Sequence, residues 1–199
     1  MEIANKMLDR FEEILESRPV PLKVQNLYLK AFNPSQIFQI SRFIKANTLK
    51  GFQAYQFGLS KKEYTILDAI PKYEHFKNLE YLGLHFSMTN PFSDFSGIPE
   101  LIITRDTISR NDIMILTQEF LANTHSKTWE VIFKNWEEDV TLREFLREIS
   151  DDPDEYWFFE VPSPDENFTI DISITYTDCI VFTRTNSGDI PIITRMSWK

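Results

Sequence analysis

The residue types that usually carry chemistry are few in this chain of 199 residues, and their spacing builds no site. The three histidines, His75, His85 and His125, include no pair one helical turn apart, the spacing that offers two imidazoles to zinc. His85 sits inside Leu84-His85-Phe86, a strand-like setting in which a histidine is a structural or surface residue. Cys179 is the single cysteine; it lacks a cysteine for a disulfide and a nearby histidine to activate it as a nucleophile. Its run, Cys179-Ile180-Val181-Phe182, fits a small buried hydrophobe instead. Five glycines are scattered at 51, 58, 83, 97 and 188, so there is no loop to cradle phosphate and no Gly-x-Ser-x-Gly elbow. Asp151-Asp152-Pro153-Asp154-Glu155 could contact calcium, but it lacks the alternating ligands and central glycine of a calcium loop, and Pro153 interrupts it. A solvated helix end and loop is the plainer reading. Glu137, Glu138 and Asp139 precede a helix expected near Thr141, where the helix dipole favours negative charge by ~0.3–1 kcal/mol. The expectation is a protein without catalytic, cofactor or metal residues; a small enzyme or metal protein would rest on Cys179, the histidines and the Asp cluster alone.

The elements holding these residues belong to a globular chain. Hydrophobic residues make up 42% and charged residues 26%, which suits one domain with a packed core. No run reaches the ~20 apolar residues of a membrane helix. A pI near 4.9 argues against a nucleic-acid surface. The acidity is uneven: residues 1–100 hold 12 Lys and Arg against 11 Asp and Glu, and the remainder hold 9 against 19. Thirteen acidic residues lie between Glu137 and Asp171, against Arg143 and Arg147. The N-terminus lacks the apolar stretch of a secretory signal, and a lone cysteine fits a reducing cytoplasm or nucleus. Without that signal, Asn167-Phe168-Thr169 carries little weight as a glycosylation site.

Ile3, Met7, Phe11, Ile14 and Leu15 recur at helical spacing until Pro19 and Pro21 stop them. From there strand, polar turn and helix alternate. Strands are expected at Leu22–Leu29, Leu49–Ala54, Leu79–Leu84, Ile98–Ile103 and Trp129–Phe133. Helical faces follow at Ile37, Ile40, Phe43 and Ile44; at Tyr64, Leu67 and Ile70 behind Ser60; at Ile113, Leu116, Phe120 and Leu121 behind Ser109; and at Phe145, Leu146 and Ile149 behind Thr141. The third unit, through Thr89-Asn90-Pro91-Phe92-Ser93-Asp94, has only a loop crossover. Leu79-x-x-Leu82-x-Leu84 best keeps a leucine-rich pattern, and the spacing predicts an α/β, leucine-rich-repeat-like solenoid of strand–helix units on a parallel sheet. After Asp154 the period becomes two. Phe168–Thr175, Ile180–Thr185 and Ile190–Trp198 read as an antiparallel β meander closing the C-terminal end. The domain expectation is a single unit, 1–199, with a helix over 1–18, repeats over 21–150 and the β cap over 156–199.

Several stretches resemble the FTH domain, the substrate-side domain of a large nematode F-box protein family. Pro21-Leu22-Lys23-Val24-Gln25-Asn26-Leu27-Tyr28-Leu29 is similar to its first strand, and Phe43-Ile44-Lys45-Ala46-Asn47-Thr48-Leu49-Lys50 to its second junction, with Ala46-Asn47 in place of Pro-Gly. His75-Phe76-Lys77-Asn78-Leu79 and Ile108-Ser109-Arg110-Asn111-Asp112 resemble a further junction and a helix start, and Phe159–Ile174 a closing hairpin. The resemblance implies a non-catalytic module that captures a protein, brought to a Skp adaptor and a cullin–RING ubiquitin ligase by an F-box. Here the helix at Ile3 leads almost directly into the first FTH-like strand, so the expectation is an isolated recognition domain, or a member that recruits no ligase, with Skp bound only if an F-box is supplied.

Strand parity nominates the recognition face: Tyr28, Lys30, Gln53, Tyr55, His85, Thr104, Glu130 and Ile132, on the side of the sheet away from the helices. Tyrosine suits an interface, being large, rigid and amphipathic. The partner is expected to be a protein, with neither nucleic acid nor membrane involved. The alternative is that the acidic second half sequesters or scaffolds a basic protein, without any ligase role.

Overall fold

The computed structural model describes residues 2–32, 34–56, 78–137, 157–162, 168–175 and 179–186. They fall into two compact units, 1–90 and 91–199, with mixed α/β structure in which parallel strands are followed by antiparallel ones.

In the first unit α1 (Glu2–Glu16) precedes β1 (Asn26–Ala31), α2 (Pro34–Ser41), β2 (Gly51–Gln56) and β3 (Tyr81–Ser87). Pro34 opens α2, where a missing N–H costs nothing and φ is already helical. The three strands run parallel in the order β1-β2-β3. Their alternation is plain: Phe52, Ala54, Leu82, Leu84 and Phe86 are buried on the helix side with Ile37, Ile40 and Leu15. Each large apolar side chain removed from water there contributes about 1.5–3 kcal/mol. Leu79, Leu82 and Leu84 are all buried.

All three strands of this unit begin later than their composition predicts, β2 at Gly51 instead of Leu49. The ladder of β1 starts at Asn26 and not at Leu22, because Leu22 forms a separate parallel bridge with Ile44 just beyond α2. That bridge uses Leu22 N–H to Phe43 O at 2.8 Å and Lys45 N–H to Leu22 O at 2.7 Å. Likewise β3 starts at Tyr81, where register with Gly51 begins, and extends to Ser87. The helical run expected through Phe43 and Ile44 stops at Ser41. Ser60 and its helix lie outside the described residues.

The second unit opens with a short 3-10 turn, Phe92–Phe95, which buries both phenylalanines; this is the crossover expected of the third repeat. Next come β4 (Glu100–Ile108), α3 (Arg110–Ala122), β5 (Thr128–Trp136), β6 (Trp157–Pro162), β7 (Phe168–Thr175) and β8 (Cys179–Asn186). β4 and β5 are parallel, β8 adds to β5 antiparallel, and β7 and β6 continue the meander. The antiparallel meander is therefore β6-β7-β8 within this description; the strand expected at 190–198, and the helix behind Thr141, lie outside the described residues.

A capping box starts α3. Asp112 N–H donates to Ser109 Oγ at 3.2 Å, and Ser109 N–H to Asp112 Oδ2 at 2.9 Å. Ile113, Leu116 and Phe120 point inward. Fully buried Trp129 meets Phe120 edge-on at 5.6 Å, and its Nε1 donates to Ile98 O at 2.9 Å. Arg184 of β8 finishes the helix. Its guanidinium donates to Ser126 O at 3.1 Å, Asn123 O at 3.3 Å and Phe120 O at 3.4 Å, and stands over the Phe120 ring. One side chain thus satisfies carbonyls that a helix end leaves without partners.

Ser109→Ala is expected to cost about 1 kcal/mol in urea unfolding, the usual value of an N-cap. Arg184→Ala should cost more, about 2 kcal/mol, because several charge-assisted bonds go at once, and Arg184→Lys should recover only part.

Candidate functional site

In the first unit, strand register assembles the nominated residues. Lys30 faces Tyr55, and Tyr55 faces His85; Tyr28 faces Gln53, and Gln53 faces Gly83. All have the parity opposite to the buried leucines. Tyr55 and His85 stack in parallel, with ring centroids 4.3 Å apart and planes within 4°. Gln53 Nε2 donates to Tyr55 Oη at 2.6 Å and lies 3.0 Å from His85 Nε2. The Gln53 amide N–H can donate to His85 Nε2 in the tautomer that carries the ring hydrogen on Nδ1. Tyr28 and Tyr55 stand 67% and 37% exposed, whereas Gln53 and His85 are half-buried.

Parity also brings in two residues that the sequence reading passed over. Tyr81 shares the face with His85, and Gly83 between them supplies room. A Cβ on Gly83 would come within 2.8 Å of Tyr81 Oη and 2.9 Å of Gln53 Cγ. The signal was present in the sequence: Tyr81, Gly83 and His85 alternate along one strand. The result is a platform of aromatic rings bearing hydroxyls, an amide and an imidazole, beside the lysine of the edge strand. It can stack, donate and accept.

Thr104, Glu130 and Ile132 belong to the second unit and are half-buried. Thr104 faces Ile132, and Ile132 faces Cys179. Glu130 is engaged: the Cys179 thiol donates to its Oε1 at 3.5 Å. Burial, then the Glu130 charge and that hydrogen bond, push the Cys179 thiol from 9.0 up to about 12. Among the described residues no three His, Cys, Asp or Glu side chains converge as a metal site. His75, Asp151 and most of the acidic block lie outside the described residues.

A family model for the FTH domain matches residues 5–148. The chain belongs to the FTH domain family. No curated protein and no solved structure matches it. The FTH match takes in α1, which the sequence reading placed ahead of the domain, and contains every nominated residue together with Tyr81 and Gly83. It stops before β6, so Cys179 and Arg184 are contributed from beyond it to β5 and α3. Among the described residues no helix is long and apolar enough to cross a membrane.

Cys179 should resist alkylation in the folded protein at neutral pH and react on unfolding, because only the thiolate is nucleophilic. The raised thiol also makes stability depend on pH. Its contribution is constant below pH 9, where both states keep the proton; between 9 and about 12 the unfolded thiol ionises first, so stability falls as pH rises. Cys179→Ser should flatten this part of a stability–pH curve measured by urea unfolding.

Proposed function

We propose that this FTH domain is a non-catalytic protein-interaction module, of the substrate-recognition kind associated with F-box ubiquitin-ligase receptors. The observation that carries the reading is the Tyr28–Gln53–Tyr55–His85–Tyr81 platform, presented on paired strands inside the family-matched region. Paired strands fix side-chain directions, so aromatic groups there lose little freedom on binding. A leucine-rich-repeat-like solenoid, the finer architecture that the strand spacing favours, would use such a face in the same way. Thr104, Glu130 and Ile132 extend the proposed surface in the second unit. Docking to Skp is a property of an F-box and is proposed only for a chain that carries one. A reducing compartment, cytoplasm or nucleus, suits a lone buried thiol.

The alternative partner chemistry rests on charge. With a net of -9 concentrated in residues 101–199, the second half would attract a basic protein, and that attraction would weaken with salt.

Affinity purification from lysate, comparing wild type with Tyr28→Ala/Tyr55→Ala, tests the leading reading. Removing these two anchors should reduce recovery of specific partners by about tenfold or more, with circular dichroism confirming that the double variant folds. Equal recovery by the double variant would sink this face. Recovery lost on raising salt, and not by the substitutions, would assign binding to the acidic half.

A further inference from the structure

One stripe of α1 is uncovered. Leu15 is buried and Leu8 half-buried, while Glu12 and Glu16 on the neighbouring edge both hold Arg42 beyond α2. Met7, Phe11 and Ile14, spaced four and three residues apart, share a different stripe and stand 69%, 45% and 52% exposed. With Lys6 and Arg10 they line a shallow apolar depression whose walls, among the described residues, belong to α1. Single exposed hydrophobes are ordinary, but a contiguous helical stripe marks a contact surface.

A second unfilled feature adjoins it. β1 pairs with β2, and among the described residues nothing pairs with its other edge. Backbone groups along such an edge are a template for another strand. Leu8 of α1 lines a small cleft with Leu29, Lys30, Ala31 and Phe32, so the helix and this end of β1 are neighbours.

We infer that this side of the first unit is a self-association surface, occupied by a second copy of the chain. Two β1 strands paired antiparallel are related by a two-fold axis perpendicular to the sheet. That axis keeps both helical layers on one face and brings the two α1 helices together antiparallel. The charges of α1 suit this direction. Lys6 and Glu13 lie on one edge of the stripe, basic toward the N-terminus and acidic toward the C-terminus. Antiparallel pairing sets Lys6 of one copy against Glu13 of the other, twice by symmetry, whereas parallel pairing opposes like charges. The pair Arg10–Glu13 within α1 is exposed, where such a contact is worth little and yields readily. A lipid surface fits less well, since α1 carries five acidic residues against Lys6 and Arg10 and anionic headgroups repel it.

The test is sedimentation of the full chain from about 1 to 200 µM, a range that captures micromolar association. Wild type should show a monomer–dimer equilibrium. Phe11→Glu should weaken it at least tenfold, Lys6→Glu should weaken it, and Lys6→Glu/Glu13→Lys should restore it. Amides of β1 should exchange more slowly at the higher concentration. All three positions are exposed, and circular dichroism checks that each variant folds. A wild type that stays monomeric throughout overturns the inference. So does a dimer indifferent to Phe11→Glu and to the charge exchange, or a monomer that instead sediments with phosphatidylserine vesicles.

Discussion

Parallel pairing of β1, β2 and β3 without a register slip is the constraint on which the first unit depends. Because side chains alternate strictly, a slip of one residue would send Phe52, Leu82 and Leu84 to the open face and bring Gln53, Tyr55 and His85 under the helices. The core fixes the register, and the register then places the platform. Gln53 meets both Tyr55 and His85 only because those two are register partners while Gln53 lies two residues earlier on the same face. The side-chain arrangement of the open face is thus a by-product of leucine packing on the reverse side of the same strands.

The second unit solves a different problem. Its parallel pair β4-β5 would end in an open edge, and β8 closes it running the other way. Trp129, Phe120 and Phe182 meet under that junction, with Phe120 and Phe182 centroids 5.6 Å apart, so the closing strand contributes to the core as well as to the ladder. On the opposite side the Cys179 thiol reaches Glu130 diagonally across the ladder. Glu130, which strand parity nominates for the open face, also accepts from that thiol.

Much of this was legible in the sequence because it is periodic. The amphipathic run Ile3–Leu15 gave α1, Ser109 and Asp112 gave the start of α3, and alternation in Phe168–Thr175 gave β7. Leu22 misled because an extended apolar residue before a helix can bridge as well as join a ladder, and local composition does not distinguish the two. The platform was half legible. Tyr28, Gln53, Tyr55 and His85 follow from parity, but the stack and the space above Gly83 depend on which residues pair across strands, a non-local property. Arg184 gave no local sign of capping a helix that ends at Ala122, since nothing in its own strand marks the role.

That distance has a consequence for biosynthesis. The carbonyl of Phe120 and the guanidinium that satisfies it are 64 residues apart, and the second edge of β5 waits for the same late strand. During synthesis, the entire family-matched region leaves the ribosome before either is covered, and an uncovered strand edge is where nascent chains associate wrongly. A messenger truncated between residues 148 and 179 would encode every residue of the matched domain and still release a chain with an open β5 edge and an uncapped α3. The boundary of the family and the boundary of the folding unit are different places in this protein.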